Sequence, residues 1–288
     1  MAVVREDVEF ESNGAALRGW LFRADGASPR PGVVMAHGMS AVKEMFLDDY
    51  AAEFASAGIT TLVYDHFGFG TSGGEPRQSP APEIQLLGYR DAITWLGRQN
   101  HVDANRIGVW GSSFSGGQVI RLAAEDLPIA CAVAQVPHLG EGDPLPPGGF
   151  VAELTAAIEA ERLDAVVSAV TADPQGTGLM YEDGAFEWFT RVAAERAPTW
   201  RDEVQVGALA AGADHKPIDH LASARVPLLL IAAPADRLTP PGPATPIADQ
   251  TENVTIVEIP GNHFDAYEAG FQASSGPAVE WFRKHLQA

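Results

Sequence analysis

Ser113, Asp236 and His263 stand in that order along the chain, each beside an apolar run, and together they could carry nucleophilic acyl transfer. A serine hydroxyl is a weak nucleophile until a histidine removes its proton, and the histidine needs a carboxylate to fix its tautomer and stabilise its charged form. Ser113 lies in Arg106-Ile-Gly-Val-Trp-Gly-Ser-Ser-Phe-Ser-Gly-Gly117, an apolar strand that runs through small residues into the helical stretch Gln118 to Ala124. A nucleophile on a sharp strand-to-helix turn has a strained backbone, so the residues two before and two after it must be small. Gly111 and Ser115 meet that demand around Ser113. Centring on Ser112 puts Trp110 at a small position, and centring on Ser115 starts the turn too far past the strand, so sterics select Ser113. The chain has no Gly-Lys-Ser/Thr of a phosphate loop and no Gly-x-Gly-x-x-Gly at this point.

Asp236 stands just past the run Pro227 to Ala232, and His263 follows Val254 to Ile259 and a Pro-Gly turn. Ligands of open α/β sheets bind beyond the carboxyl ends of the strands, where all three residues are expected to converge. The remaining need is a pair of amides for the oxyanion, each worth roughly 10²–10³ in rate. Phe114 N–H, next to the nucleophile, is one candidate, and Met39, in His37-Gly38-Met39 after an early apolar run, is the other. His37, without an obvious structural need there, is a candidate substrate-binding residue.

The elements that must hold these residues are legible as alternation. Residues 3–11 and 16–23 predict a strand pair joined at Ser12-Asn-Gly14, and Gly32–His37, Ile59–Asp65, Arg106–Trp110, Ile129–Val136, Pro227–Ala232 and Val254–Ile259 predict strands buried on both faces. Met45–Ala57, Pro82–Gln99, Phe114–Ala124 and Gly276–Leu286 predict the helices between them. That order predicts an α/β fold with a mostly parallel central sheet and helices on both faces. From 139 to 225 no convincing strand appears. Gly140 to Gly149 is turn-forming, after which Val151, Leu154, Ile158, Val166, Val167 and Val170 recur at helical spacing, as do Phe186, Phe189, Val192 and Ala193. Residues 1–138 and 226–288 are therefore expected to form the core, and 139–225 a helical cap. Phe150, Phe186 and Phe189 are its candidate substrate-binding residues, with packing on the core as the plain alternative for each.

His37-Gly38, the block Asp65-His-Phe-Gly68-Phe-Gly70-Thr-Ser72-Gly73, the turn at Ser113, the post-strand Asp236 and Gly261-Asn-His263 together resemble the α/β-hydrolase superfamily, in order and over nearly the whole chain except 139–225. The turn Gly111-Ser-Ser-Phe-Ser-Gly-Gly117 and Gly261-Asn-His-Phe-Asp-Ala-Tyr267 further resemble a bacterial branch of esterases, thioesterases and dienelactone-hydrolase-like enzymes. Two departures stand out. Ser115 replaces the usual second glycine of the turn, and His66 stands where many relatives have arginine. A serine at the nucleophile position separates the chain from relatives that attack with aspartate. The resemblance implies an α/β-hydrolase fold and a serine hydrolase that works through an acyl-enzyme on an ester or thioester of a small to medium, partly apolar acid, with no cofactor. An acyltransferase, a lactonase and a carbon–carbon bond hydrolase would use the same three residues. A peptidase of the prolyl dipeptidyl branch is less expected, since those enzymes carry a further domain. A non-catalytic small-molecule-binding protein on the same fold is the reading of a different class, and it has no need of all three residues.

Composition narrows the partners. The 288 residues carry 19 Lys+Arg against 38 Asp+Glu, a net charge of −19 that repels nucleic acid and anionic membrane surfaces and argues against highly anionic substrates unless a basic patch compensates. The lone Cys131, in a run that reads as a buried strand, excludes an internal disulfide and reads as a core residue. His37, His66, His101, His138, His215 and His220 offer no His-x3-His spacing, so no metal is expected. The first residues lack the apolar run of a signal peptide and no stretch approaches the ~20 apolar residues of a membrane span, which makes the cytoplasm the default expectation. A homodimer is left open.

Overall fold

The computed structural model describes residues 2–24 and 29–287. Residues 1, 25–28 and 288 of the expected core lie outside the described residues. In chain order the strands are β1 Val3–Ser12, β2 Ala15–Ala24, β3 Arg30–Ala36, β4 Thr60–Tyr64, β5 Val102–Ser112, β6 Cys131–Gln135, β7 Val166–Val167, β8 Val204–Gln205, β9 Leu228–Ala232 and β10 Val254–Glu258. The helices are α1 Leu47–Ser56, α2 Pro82–Gly97, α3 Phe114–Ala124, α4 Gly148–Glu159, α5 Ala185–Glu195, α6 Val206–Ala211, α7 Ile218–Leu221, α8 Thr245–Ala248 and α9 Phe271–Leu286. Eight strands form one sheet in the order β1-β2-β4-β3-β5-β6-β9-β10. β1 and β2 are antiparallel to their neighbours, joined through Asn13 and Gly14 at positive φ, whereas β4, β3, β5, β6, β9 and β10 run parallel. This is the α/β-hydrolase fold that the sequence predicts.

Alternation along the strands explains why both faces are covered. Val33 and Met35 of β3 join one core with Tyr50 and Phe54 of α1 and Phe282 of α9. Val34 and Ala36 face the other way, into a second core with Leu86 and Tyr89 of α2 and Val119 and Ile120 of α3. Each strand therefore reads as an unbroken apolar run because successive side chains serve different cores. Cys131 is part of the first core, where burial pushes its thiol pKa up.

Between β6 and β9 lies the insert, and here the expectation of helix alone is corrected. Val166 and Val167 form a two-stranded antiparallel ribbon with Gln205 and Val204, and Val170 bridges to Met180. The helix expected through Val170 ends at Glu159, and Glu161 adopts a φ of 55°. Beyond that break the valines at 166, 167 and 170 favour extended chain, because branching at Cβ restricts χ1 in a helix. Phe150, Trp188, Phe189 and Val192 of the insert merge with the first core, so the insert is anchored to the face that α1 and α9 cover.

Candidate active site

The parallel strands β3, β5, β6, β9 and β10 all end at one edge, which collects His37–Met39, Ser113, Val136–His138, Asp236 and His263. Ser113 has φ 56° and ψ −121°, between the last residue of β5 and the first of α3. Its N–H donates to Gln135 O at 2.9 Å, and its carbonyl accepts from His138 N–H at 2.9 Å and Gly117 N–H at 3.1 Å, so neighbouring elements enforce the strained geometry. The small positions are a steric necessity: a Cβ on Gly111 would lie 2.3 Å from Ser115 O, and one on Gly38 would lie 2.8 Å from Ser113 Cβ. Phe114 N–H is the first amide of α3 and has no partner within the helix, so the positive end of the helix faces the site.

The competing serines are committed elsewhere. Ser112 is fully buried, its hydroxyl 2.5 Å from that of Tyr267. Ser115 Oγ donates to His37 O at 2.5 Å and accepts from His66 Nε2 at 2.8 Å. The two departures from the superfamily pattern therefore belong together: the added hydroxyl at position 115 meets the imidazole at position 66. His66 N–H in turn donates to His37 Nε2 at 3.2 Å, while His37 Nδ1 donates to Gly38 O at 3.0 Å. Burial lowers the pKa of both histidines, that of His66 strongly, so both are neutral struts at ordinary pH.

His263 Nδ1 donates to Asp236 Oδ2 at 2.8 Å in a pair almost sealed from solvent. Asp236 Oδ1 accepts from Leu238 N–H at 2.9 Å and Thr239 N–H at 2.7 Å, which locks the loop after β9 onto its own carboxylate. Thr239 Oγ1 lies 2.9 Å from Asp236 Oδ2, 3.0 Å from His263 Nδ1 and 3.0 Å from Val136 O. Val136 holds a φ of 37°, strained for a β-branched residue, and its carbonyl is the one that Thr239 Oγ1 reaches. The loop bearing His263 is braced from within: Asn262 N–H donates to Asp265 Oδ2 at 2.8 Å, and the amides of Phe264 and Asp265 donate to Asn262 Oδ1. The insert adds Asp183, whose carboxylate accepts from Arg237 N–H at 2.8 Å and pairs with its guanidinium.

Two spaces meet at Ser113. The outer is a cavity of about 290 Å³, bounded by Met39, Ser113, Phe114, His138, Leu179 and Leu238 among others. The inner is a tight cleft shared by Ser113, Met39, His263, Trp188, Phe189 and Tyr267. Lys43 and Asp65 form a buried ion pair at 2.5 Å, with Lys43 Nζ 4.7 Å above the Trp20 ring. Asp65 also accepts from the amides of Lys43 and Thr71, and a Cβ on Gly70 would lie 2.3 Å from its Oδ2. The block Asp65-His-Phe-Gly68-Phe-Gly70-Thr71 is thus folded around one carboxylate. Among the described residues no three His, Cys, Asp or Glu side chains are gathered as a metal centre requires.

Residues 16–264 match the family described as X-Pro dipeptidyl-peptidase (S15 family). The chain belongs to the S15 family. An Escherichia coli protein, an uncharacterized 31.7 kDa protein in the traX-finO intergenic region, is 28% identical over 96% of this S15 chain and 97% of its own length. A thiohydrolase of Eupenicillium brefeldianum is 41% identical over 49% of this chain and 47% of its own. The polyketide transferase grgF of Penicillium sp. is 34% identical over 67% and 64%, and the solved α/β hydrolase GrgF superposes with a TM-score of 0.83 at 24% identity, covering 99% of this chain and all of the other.

In this S15 chain Ser113, Asp236, His263, Met39 and Phe114 are brought to one edge, as their sequence positions predict. Three pocket expectations differ. His37 borders the inner cleft, but its ring nitrogens are taken by Gly38 and His66, so it is part of the frame rather than a polar contact for substrate. Phe150 points into the core below the insert. Phe186 stands on the outer face of α5, more than a third exposed, because the helix turns Ala185, Trp188, Phe189 and Val192 inward. Phe189 does border the cleft. Sequence reasoning missed Thr239, Asp183 and Val136. The pattern Asp236-Arg-Leu-Thr239, an acid followed by amides it can cap, was the available signal for Thr239.

Proposed function

We propose that this S15-family chain is a serine hydrolase that transfers the acyl group of an ester or thioester through an acyl-enzyme on Ser113. The supporting observation is the setting of Ser113: a positive φ on a strand-to-helix turn, opening into the same cleft as the sealed His263–Asp236 pair. Ser113 Oγ attacks the carbonyl carbon while its proton passes to His263 Nε2, and the amides of Phe114 and Met39 receive the oxyanion. When the tetrahedral centre collapses, the C–O or C–S bond breaks and the leaving alkoxide or thiolate takes that proton. Water then attacks the acyl-enzyme, gives a proton to His263 and releases the acid, and the proton returns to Ser113. Asp236 holds Nδ1 and stabilises the imidazolium between the two half-reactions.

The apolar lining of the outer cavity suits a medium-sized acyl group, and the names thiohydrolase and polyketide transferase carried by relatives favour thioesters as acyl donors. The second of those names also favours transfer to an acceptor other than water. The insert between β6 and β9 acts in this reading as the lid that closes the cavity. The family description raises a peptidase as the competing activity. The test is a substrate panel of alkyl thioesters, p-nitrophenyl esters and Ala-Pro-p-nitroanilide against the protein and Ser113→Ala. Turnover of thioesters and esters that disappears in Ser113→Ala supports the reading. Turnover confined to the anilide, or ester hydrolysis undiminished in Ser113→Ala, overturns it.

A further inference from the structure

The outer cavity contains a second imidazole–carboxylate pair that the acyl-transfer steps do not use. His138 Nδ1 lies 3.0 Å from Asp143 Oδ2, and both residues border the cavity. The position of His138 is fixed by the nucleophile's own backbone, since its N–H donates to Ser113 O. Its ring is held in an aromatic cluster, 5.4 Å from the Phe114 ring and stacked on His215 at 5.9 Å. Burial pushes His215 down to a pKa of about 3, so the stacked partner is neutral and does not repel His138.

A carboxylate only accepts hydrogen bonds, so Nδ1 carries the proton shared with Asp143, and the tautomer with Nδ1 protonated leaves a lone pair on Nε2. Among the described residues Asp143 Oδ1 is buried without a hydrogen-bond partner. With that oxygen closed off from the cavity, the acceptor the pair offers is His138 Nε2, in a wall otherwise made largely of Met39, Pro144, Leu145, Leu179, Met180 and Leu238. Leaving that acceptor unpaired when a substrate expels water is costly, so a substrate that brings a donor is favoured over one that does not. Glu182, the other carboxylate of the wall, pairs with Arg237 at 3.3 Å, and the apolar remainder of the wall gives the further N–H groups of an ammonium donor no partners, so an uncharged donor with a single O–H fits it better.

The geometry points to His138, oriented by Asp143, as a specificity-determining residue that accepts a hydrogen bond from a hydroxyl group on an otherwise apolar substrate. This rests on the acyl-transfer reading of Ser113 and narrows it to hydroxylated acyl compounds. The hydroxyl belongs to whichever part of the substrate occupies the outer cavity, the acyl chain or the leaving group.

The test compares kcat/KM for S-ethyl hexanethioate with its 3-hydroxy, 6-hydroxy and 6-amino derivatives and with S-(2-hydroxyethyl) hexanethioate, thiol release being followed with a chromogenic disulfide. At least one hydroxylated thioester is expected to exceed its parent by about tenfold, chiefly through KM, the scale of one well-placed hydrogen bond. His138→Phe, which keeps a ring in the aromatic cluster, should bring that ratio to about one, and Asp143→Asn should lower it. His138→Gln, whose amide oxygen accepts, should restore part of it. Labelling of Ser113 by a fluorophosphonate shows that each variant is folded, and the ratio within a variant is what is read. No hydroxyl preference, a preference that survives in His138→Phe, or a preference for the 6-amino compound overturns the assignment. If no thioester is turned over and Ser113 takes no label, the acyl-transfer reading fails and this inference with it.

Discussion

Thr239 shows how much of the site rests on groups other than Ser113, Asp236 and His263. Its hydroxyl has one proton, which goes to Val136 O or Asp236 Oδ2, and a lone pair turned toward His263 Nδ1. Thr239→Val keeps the shape and removes all three contacts, leaving the imidazole held by Asp236 alone. A neutral hydrogen bond is worth about 0.5–1.5 kcal/mol net, so kcat on a thioester should fall by a few-fold to about tenfold with KM little changed. Steady-state kinetics check this, and an unchanged kcat would assign Thr239 to the loop alone. Asp236→Asn should cost far more, on the order of 10⁴ in kcat, because an amide in that place selects the wrong histidine tautomer. Ser113, Asp236 and His263 were legible because each has a particular neighbour in sequence: small residues around Ser113, a strand end before Asp236, a Pro-Gly turn before His263. Thr239 Oγ1 meets Val136 O and His263 Nδ1, and the Asp183 carboxylate meets Arg237, across segments distant in sequence, and local sequence does not encode such meetings.

Elements were legible to the extent that one periodicity governed them. The parallel strands announce themselves as apolar runs, and their observed bounds differ from the predicted ones by only a few residues, as in Leu228–Ala232 against 227–232. In the insert, valines at helical spacing also satisfy a short extended run, and the choice fell to the break after Ala160 and the pairing with Val204 and Gln205. The strand-to-helix turn makes the firmest prediction at this scale. Gly111→Ala places a methyl where Ser115 O already stands, so β5 and α3 cannot both keep their positions. Thermal melts should show a destabilisation of several kcal/mol or loss of soluble protein, the range of overpacked and strained sites. A midpoint equal to that of the parent would mean that the elbow relaxes freely.

Across the whole molecule, burial has gathered neutral histidines that the unfolded chain would protonate. His37, His66 and His215 all have pKa values depressed below the ordinary 6.5 by desolvation. The unfolded state therefore binds more protons than the folded state as pH falls below about 6.5, so the stability they contribute is present above that pH and lost progressively beneath it. Opposing this, the net charge of −19 shrinks on acidification toward the isoelectric point near 4.7, which relieves self-repulsion. The buried histidines are expected to dominate, and the melting temperature should fall between pH 6.5 and 5. His215→Phe should flatten that slope. A melting temperature that holds or rises over the interval would show charge relief to be the larger effect.

The most direct test of the central claim is intact-protein mass spectrometry after exposure to a small fluorophosphonate, with Ser113→Ala alongside. The account predicts one adduct, mapped by proteolysis to Ser113 and absent from the variant, because only a serine activated by its surroundings reacts at a useful rate. No adduct, or one that persists in Ser113→Ala, would contradict it and favour a binding protein on the same fold.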